Sequence, residues 1–329
     1  MAAKYGSGIT DVPGVRVGHW TDELSMTGCT VVICDYGAVG GVDVRGASPG
    51  TRETDLLSPH KRIERINAVL IGGGSAYGLA AADGVMHYLE ERGKGFKIGR
   101  NTVPIVPAAI LFDLSVGDGT IRPSSSEGYL ACENSSYGRV ETGSVGAGTG
   151  ATVAKVLGLN SSIKGGIGSS SVFLGDELVV GAIVAVNAIG SIHDPHTGEL
   201  IAGARDQNNE MISANQALLE SGYENKSDLG SNTTIGIIAT NAKLSMTEVN
   251  QVASVSHDGI ALAVRPAHML GDGDTMFALA TDQTENFDLD QIIAAVVQVT
   301  SMAVVNAVKT AKSLGGIPSL GECSSGCVL

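Results

Sequence analysis

Aromatic and basic residues are scarce in this sequence. Trp, Tyr and Phe together make up 4% of its 329 residues, and all charged residues make up 17%. Lys and Arg number 21 against 34 Asp and Glu, so the formal net charge is −13. An acidic chain with few rings offers little for base stacking or phosphate contact. The composition therefore argues against nucleic acid and against an anionic membrane surface as partners.

Cysteine motifs and long apolar runs are also missing. The five cysteines include no C-x-x-C pair, which excludes a zinc ribbon and gives no sign of a disulfide framework. Cys323 and Cys327 lie in a Gly/Ser-rich tail, where we expect a frayed end. No basic segment followed by an apolar run opens the chain, and no apolar stretch reaches the roughly 18 residues of a spanning helix. We therefore expect a cytoplasmic protein.

Apolar residues and glycine are abundant instead. Hydrophobic residues make up 43% of the chain, enough for a substantial core, and 45 residues are glycine. Short β-branched runs bounded by Gly-rich turns predict buried strands at 31–34, 68–71, 178–186, 235–240 and 276–280. Segment 103–114 contains Pro104 and Pro107, which predicts an edge strand or an irregular extended segment. Continuous apolar strands are typical of sheets that are covered on both faces.

Helical spacing of apolar residues occurs in segments 75–92, 207–220, 247–255 and 288–314. Gly93 is the expected C′ residue of the first helix. Asp288 is a suitable N-cap for the last helix, and Gly315 is expected to end it. Strands mixed with these helices predict an α/β or α+β fold with helices on the outer faces.

Three polar or Gly-rich segments suggest ligands but lack a complete motif. Segment 72–78 follows a strand and opens a helix, yet its G-x-G-x-x-x-G spacing is one residue too long for a dinucleotide fingerprint. Segment 146–150 lacks the Gly-Lys-Ser/Thr ending of a phosphate loop. His193 and His196 flank an Asp-Pro pair, which first of all initiates a turn. We therefore predict tight turns here, and neither a cofactor nor a metal.

The polar segment 228–234 runs directly into the predicted strand 235–240. One interpretation is an ordinary loop that enters a strand. The other is that the Thr233 hydroxyl attacks the Asn232 carbonyl, so that an N-to-O acyl shift followed by hydrolysis frees a new N-terminal threonine. A threonine hydroxyl needs a base to become a nucleophile. An α-amino group, with a pKa of roughly 7.7 to 8, can accept its proton near neutral pH.

Several motifs in the same order resemble those of one enzyme family. They are GITDVPGVRVGH (8–19), DVRGASPGTRE (43–53), the turn 72–78, GAGTGAT (146–152), KGGIG (164–168), NTTI (232–235) and LGDGDT (270–275). Over nearly its whole length the chain resembles the aminopeptidase/D-esterase family of N-terminal-nucleophile hydrolases, which also contains the nylon-oligomer hydrolases. The resemblance implies an α+β fold with αββα layers, formed as a single domain by residues 1–329.

The resemblance also implies self-cleavage between Asn232 and Thr233. The products would be a large chain, 1–232, and a small chain, 233–329. Thr233 would then be both the nucleophile and, through its α-amine, the base. The family is typically a multi-subunit assembly, so we expect a homo-oligomer of processed heterodimers, with a tetramer as one possible size.

Four further residues match family site positions, and each also has an ordinary structural interpretation. Asn187 matches an asparagine that donates to the oxyanion, although it could simply be a strand-end turn residue. Lys155 matches a lysine of some Thr-nucleophile members, and its charge would lower the pKa of a nearby α-amine. Otherwise it is a helix-surface lysine. Asp272 and Asp274 match an acidic pair around the nucleophile, or are a turn before a strand.

One position departs from the family pattern. Some relatives have a tyrosine before the residue that matches Asp113, and its hydroxyl reaches the substrate. This chain has Phe112 there, which cannot donate a hydrogen bond, so either Tyr129 or no residue takes that role.

The favoured function is a metal-independent, self-processing amidohydrolase that removes N-terminal residues from peptides or small amides through an acyl-enzyme on Thr233. An alternative is hydrolysis of linear 6-aminohexanoate oligoamides, as in the nylon-oligomer hydrolases. A third possibility is acyl transfer, as in the similarly folded ornithine acetyltransferases. The last is a binding protein on the same scaffold that never cleaves itself.

Overall fold

The computed structural model describes residues 4–220 and 232–325. The strands are β1 (Lys4–Tyr5), β2 (Val15–Asp22), β3 (Thr27–Val44), β4 (Gly50–Arg52), β5 (Arg65–Gly72), β6 (Phe96–Ile98), β7 (Asn101–Val103), β8 (Ala108–Ile110), β9 (Thr152–Val153), β10 (Ile163–Lys164), β11 (Gly166–Leu174), β12 (Leu178–Asn187), β13 (Ser191–His193), β14 (Leu200–Ala202), β15 (Ala204–Arg205), β16 (Met211–Ile212), β17 (Thr233–Ala242), β18 (Val264–Arg265) and β19 (Thr275–Thr284). The helices are α1 (Ala81–Glu91), α2 (Ser125–Glu133), α3 (Ala214–Leu219), α4 (Met246–Ala263), α5 (Leu289–Lys309) and α6 (Leu320–Ser325).

One sheet of ten strands organises the molecule. Its order is β1-β11-β12-β17-β19-β3-β5-β8-β4, and β2 also pairs with β3. The long strand β3 pairs with β2 and β5 along its first half and with β19 along its second half. A register shift between Ile33 and Ala38 separates the two halves. Through β3, the single sheet therefore contributes to two packed layers.

Alternation along the strands shows these layers. In β12, Val180 and Val184 pack in a core with α4 and α5, whereas Ile183 and Ala185 belong to the core between the two sheet layers. In β5, Leu70 packs in a third core with α1 and α2. Successive strand residues point to opposite faces, so each layer buries one face against helices and the other against its partner layer. This is the predicted αββα architecture.

The five predicted strands are confirmed, since all lie within β3, β5, β12, β17 and β19. Segment 103–114 is extended but forms only the short strand β8 beyond β7, as its two prolines suggest.

The prediction of a helix over 207–220 is largely wrong. Its first part is a hairpin turn between β15 and β16, because the Asp206 carboxylate accepts the N–H groups of Asn208 and Glu210. Only the short helix α3 follows.

Helix ends follow local capping. Asp288 caps α5 by accepting the N–H of Asp290, as predicted, but the helix ends at Lys309 rather than at Gly315. Gly93 follows α1 with φ +63°, which fits the predicted C′ position. Helix α4 is longer than its apolar pattern indicated, and it begins with a capping box formed by Ser245 and Glu248.

Near the C-terminal end of the described residues, helix α5 and Cys323 both pack into the core. By length and composition α5 could cross a membrane, but 61% of its most apolar window is buried, and it packs on β11, β12 and α4. In this fold it serves as a core helix. Cys323 lies in α6 and packs against the core beneath α5, so the expected frayed end is wrong for this residue. Cys327 lies outside the described residues.

Candidate active site

Thr233 is the first residue of β17 and is 3% exposed. It pairs across the antiparallel ladder with Asn187, the last residue of β12. Opposite residues of such a pair point their side chains to the same face. Thr233 and Asn187 share the strand phase of Ile235 and Ala185, which belong to the core between the sheet layers. Both side chains are therefore directed towards the end of that inter-layer core.

The peptide bond between Asn232 and Thr233 is buried, and its carbonyl oxygen accepts two hydrogen bonds. The Thr233 hydroxyl donates to the carbonyl oxygen of Asn232, and the backbone N–H of Gly273 donates to the same oxygen at 3.0 Å. The hydroxyl oxygen thus lies beside the carbonyl group that it would attack. A backbone donor on that oxygen would stabilise the negative charge that an attack creates.

The turn 272–274 supplies further contacts to the same segment. Asp272 forms a parallel bridge with Asn232, and Oδ1 of Asp274 accepts the N–H of Thr234 at 2.6 Å. The motif at 43–53 holds this turn from the other side. The N–H of Gly46 donates to the Asp274 carbonyl, and the N–H of Ser48 donates to the Asp272 carbonyl. The turn 272–274 therefore lies between the 43–53 motif and the Thr233 segment, and it contacts both.

Gly273 leaves no room for a side chain. A Cβ atom there would lie 2.8 Å from the Ser48 carbonyl oxygen and 3.0 Å from Oγ1 of Thr233. The absence of a Cβ lets the backbone N–H of this turn approach the Asn232 carbonyl.

Lys155 is buried, contrary to the surface-lysine interpretation, and follows Ala154, whose φ is +57°. Its Nζ donates to the backbone oxygen of Asn187 at 2.9 Å and to Oδ1 of Asn187 at 2.8 Å. Burial lowers the pKa of Lys155 to about 7, although the nearby Asp272 carboxylate acts in the opposite direction. The structure therefore places Lys155 beside Asn187, whereas the catalytic role of either residue stays a prediction.

The side-chain amide of Asn187 already has partners. Its Nδ2 donates to the carbonyl oxygen of Phe112 at 3.0 Å, while Oδ1 accepts the N–H of Thr152 as well as Lys155. Asn187 thus lies beside Thr233, but its donor group contacts Phe112. Its oxyanion role stays a prediction.

Asp272 is 2% exposed, and its Oδ2 accepts the N–H of Met269 at 2.7 Å. Its Oδ1 has no hydrogen-bond partner within residues 4–220 and 232–325. Burial, followed by the like charge of Asp274, raises the pKa of Asp272 to about 7. A buried carboxyl oxygen with a raised pKa is suited to accept a proton near neutral pH.

His268 is a neighbour that the sequence interpretation missed. Its Nδ1 lies 2.7 Å from Oδ2 of Asp274. The short spacing between His268 and the motif 270–275 was the available signal, but spacing alone does not show which side chains meet.

The other positions considered in the sequence lie elsewhere. Tyr129 is on α2, where its hydroxyl donates to Glu91 of α1 in the outer helical layer. At the Gly-rich turn after β5, the Asp113 carboxylate accepts the N–H of Gly74 and the hydroxyl of Thr27. The N–H of Gly74, which a bound phosphate would need, is therefore already hydrogen-bonded to the Asp113 carboxylate. The Asp194 side chain accepts two backbone N–H groups, which confirms the predicted turn.

Lys164, the first residue of the motif 164–168, supports a loop next to the candidate site. Lys164 is fully buried, and its Nζ donates to the carbonyl oxygens of Thr149 and Ala151. It thereby fixes the loop that precedes Thr152 and Lys155. In the described part of the chain, no group of three His, Cys, Asp or Glu side chains is placed to hold a metal ion.

Comparisons with solved structures agree with the observed fold. Among solved structures, the L-aminopeptidase D-Ala-esterase/amidase of Ochrobactrum anthropi, described as a variant of the N-terminal-nucleophile hydrolase fold, superposes with a TM-score of 0.73. It is 20% identical and covers 95% of this chain and 88% of its own. A β-aminopeptidase of Burkholderia sp. superposes with a TM-score of 0.71 at 19% identity, over 100% of this chain and 97% of its own. The fold is that of the N-terminal-nucleophile hydrolases.

Sequence comparison identifies the family. The sequence model of peptidase family S58 matches residues 7–319 of this chain. An uncharacterized aminopeptidase of Mycobacterium leprae is 43% identical over 97% of this chain and 94% of the relative. A 6-aminohexanoate-oligomer endohydrolase of Kocuria sp. is 32% identical over 84% of this chain and 75% of the relative. The chain belongs to peptidase family S58, and it is a hydrolase of peptide or amide bonds.

Proposed function

We propose that this protein cleaves itself between Asn232 and Thr233 and then acts as an aminopeptidase or amidase with Thr233 as its N-terminal nucleophile. The observation that carries the proposal is the contact of the Thr233 hydroxyl with the Asn232 carbonyl, which Gly273 also contacts. This arrangement provides a nucleophile, an electrophilic carbon and an oxyanion donor within one buried peptide group.

Self-cleavage proceeds in two steps. Oγ1 of Thr233 attacks the Asn232 carbonyl carbon, and the hydroxyl proton passes to a base while the N–H of Gly273 stabilises the oxyanion. The C–N bond then breaks, the nitrogen of Thr233 receives a proton, and an ester links Asn232 to the threonine oxygen. Water hydrolyses this ester, which leaves a carboxylate on Asn232 and a free α-amine on Thr233.

A base other than the α-amine is required for the first step, because that amine is still part of the peptide bond. Asp272 is suited to this role, since its Oδ1 is unpartnered within the described ranges and it neighbours Asn232 across the bridge. Its raised pKa leaves an ionised fraction near neutral pH that is a stronger base than an ordinary carboxylate. Lys155, when protonated, adds positive charge on the Asn187 side of the nucleophile.

After cleavage the same geometry serves hydrolysis of external amides. The free α-amine of Thr233 takes the hydroxyl proton, and the hydroxyl oxygen attacks the substrate carbonyl. The substrate carbonyl occupies the place left by Asn232, where the N–H of Gly273 is its donor. The leaving amine takes a proton, and water then hydrolyses the acyl-enzyme ester.

Intact-mass measurement of freshly purified protein tests the proposal. Wild type should give two chains, 1–232 and 233–329. Thr233→Ser, which keeps a hydroxyl, should also be cut, whereas Thr233→Val, which keeps the branched shape without the hydroxyl, should stay whole. An uncut wild type that still turns over substrate would contradict the proposal and favour a different nucleophile.

A second candidate function is hydrolysis of linear oligoamides. It is favoured by the 32% identity to relatives named 6-aminohexanoate-oligomer endohydrolases and by the combination of Thr233, Lys155 and the acidic pair. Turnover of aminoacyl anilides should be compared with turnover of 6-aminohexanoate oligomers by the cleaved protein. If the oligomers are left intact, this candidate is removed.

The remaining alternatives predict other outcomes. An acyltransferase would move an acetyl group to an added amine such as glutamate faster than to water. A binding protein would keep the Asn232–Thr233 bond and would not be acylated on Thr233. We also propose that the processed pairs form a homo-oligomer in the cytoplasm, which light scattering on the purified protein and fractionation of cells test separately.

A further inference from the structure

His268 contacts the acidic turn but takes no part in the reaction described above. Two of its groups face a single oxygen, Oδ2 of Asp274: the ring Nδ1 at 2.7 Å and the backbone N–H at 3.2 Å. A ring nitrogen that faces a carboxylate oxygen donates to it, so Nδ1 carries the proton. Asp274 is 2% exposed and the His268 side chain 21% exposed, so this contact is largely shielded from water.

The backbone of His268 makes the double contact possible. Its φ is +59°, in the left-handed region that residues other than glycine seldom adopt. In this conformation the backbone N–H and the side-chain N–H point to the same carboxylate oxygen. The ring also packs edge-on against His257, with 4.9 Å between the ring centroids. His268 therefore lies between Asp274, to which it donates twice, and the ring of His257.

The second oxygen of Asp274 continues the chain of contacts towards the nucleophile. Oδ1 of Asp274 accepts the N–H of Thr234 at 2.6 Å. A continuous series of hydrogen bonds thus runs from His268 through Asp274 to the residue after Thr233. The orientation of the carboxylate, and with it the position of Thr234, depends on both ends of this series.

This series of hydrogen bonds contributes more to the position of Thr233 after cleavage than before it. Before cleavage, Thr233 is fixed on its N-terminal side by the Asn232 peptide group, which the Gly273 N–H and the bridge to Asp272 hold. After cleavage, that covalent link is gone. The position of the new terminus then depends on the pairing with Asn187 and on the Thr234 contact with Asp274.

We propose that His268 is a positioning residue, which acts through Asp274 to hold the N-terminal Thr233 of the mature enzyme in its reactive place. The inference rests on the proposed function. It differs from a purely structural role, because it predicts a larger effect on turnover by the mature enzyme than on folding or on self-cleavage. Misplacement of a reacting group by a small distance is enough to cost orders of magnitude in rate.

Two substitutions of His268 separate the side-chain donor from the backbone. His268→Gly keeps the left-handed backbone and its N–H but removes the Nδ1 donor. His268→Asn keeps a donor close to the Nδ1 position and tolerates the left-handed conformation. His268→Gln carries its amide farther out, where it does not replace Nδ1. The control is His257→Gln, which alters the ring on the other side and leaves the Asp274 contact in place.

The measurements are the self-cleavage rate by intact mass, and kcat and KM of the fully cleaved protein. The substrate is whichever of alanyl p-nitroanilide and a 6-aminohexanoate oligomer the wild type turns over. His268→Gly should cleave itself within about three-fold of the wild-type rate, whereas its kcat should fall at least ~10-fold with KM unchanged. His268→Asn should restore kcat to within about three-fold. His268→Gln should resemble His268→Gly, and His257→Gln should resemble wild type.

Self-cleavage serves as an internal sign that each variant has folded. Wild-type kcat in His268→Gly would overturn the proposal. So would equal losses in the Gly and Asn variants together with a lower melting temperature, because a structural role would then suffice. If wild type itself is never cleaved, the proposed function fails first, and the positioning role falls with it.

Discussion

The backbone amide of Gly273 donates to the carbonyl oxygen of Asn232 at 3.0 Å, on the same peptide group that the Thr233 hydroxyl contacts. The donor belongs to a turn that is held by the 43–53 motif, so we expect it to stay in place in the proposed cleavage. The same amide can therefore serve an internal carbonyl first and a substrate carbonyl afterwards.

Substitution of Gly273 by Ala tests this double use. Because a Cβ would lie 3.0 Å from Oγ1 of Thr233 and 2.8 Å from the Ser48 oxygen, either the turn or the hydroxyl must shift. We expect self-cleavage and kcat to fall by at least ~100-fold, which is the usual loss when one oxyanion donor is removed. Intact mass over time and anilide turnover measure the two rates.

Gly138→Ala is the matched control, because an added Cβ there would meet nothing closer than 3.5 Å. It should cleave itself and turn over substrate like wild type. Wild-type rates in Gly273→Ala would mean that the oxyanion is stabilised by another group, and Asn187 would then be the first residue to test.

The pH dependence of self-cleavage should follow Asp272. Its pKa is raised to about 7, so the carboxylate form that accepts a proton becomes populated as the pH rises through that value. The cleavage rate of freshly refolded precursor should therefore increase from pH 5.5 towards pH 7, and it should level off or fall at higher pH, where Lys155 loses its positive charge. Asp272→Asn should cleave much more slowly and should lack this rise. A flat profile in wild type would argue against Asp272 as the base.

The buried Lys155 should make the protein more stable as the pH rises. A lysine in a salt bridge has the opposite effect, because its pKa is raised by folding. The pKa of Lys155 in the folded protein is about 7, below the usual lysine value, so folding disfavours the charged form. Between about pH 7 and the unfolded pKa, the unfolded chain binds more protons than the native one, and the free energy of unfolding rises with pH. The melting temperature of wild type relative to Lys155→Met should therefore increase from pH 7 to pH 9.5.

Lys155→Met should also separate activity from stability. Met fills a similar volume without a charge, so the melting temperature near pH 7 should change by only a few degrees. Self-cleavage should slow by roughly 10-fold or more, because the positive charge near Thr233 is lost. A variant that cleaves at the wild-type rate would assign Lys155 to packing alone.

Gly73 offers a test of the Gly-rich turn. An added Cβ would lie 1.9 Å from Oδ2 of Asp113, so Gly73→Ala must displace a buried carboxylate. We expect the free energy of unfolding to fall by about 1–3 kcal/mol, as for other overpacked sites. Chemical denaturation with Gly138→Ala as the control measures the difference. Full stability of Gly73→Ala would show that the turn can move away from Asp113.

The strands of the fold and the partners of the nucleophile differ in how far the sequence could predict them. Strands β12, β17 and β19 are continuous apolar runs, so their positions follow from composition along the chain. Residues 207–220 were predicted as a helix because apolar spacing was considered without the Asp206 turn, whose side chain competes for backbone N–H groups.

The site was predictable where a family motif carries it and not where tertiary contacts do. Thr233, Asp272 and Asp274 lie in family motifs, whereas Asn187 and Lys155 match family site positions outside those motifs. The structure places Asn187 opposite Thr233 and beside Lys155. His268 was missed because its role depends on a left-handed backbone and on the direction of one ring nitrogen. Neither property has a signature in a single sequence. Gly273 lies in the motif 270–275, but the sequence does not show that its N–H donates to the Asn232 carbonyl.

The central position of β17 has a consequence for the life of the mature enzyme. This strand lies between β12 and β19, antiparallel to one and parallel to the other, and the proposed scission removes its covalent connection to β12. Once both pieces are unfolded and diluted, renaturation becomes a second-order encounter between separate polypeptides. Precursor would regain structure at a concentration-independent rate, whereas matured material would recover slowly or aggregate. The mature enzyme would then stay folded because its kinetic barrier to unfolding is high. Maturation would be irreversible, since the separated chains could not efficiently refold.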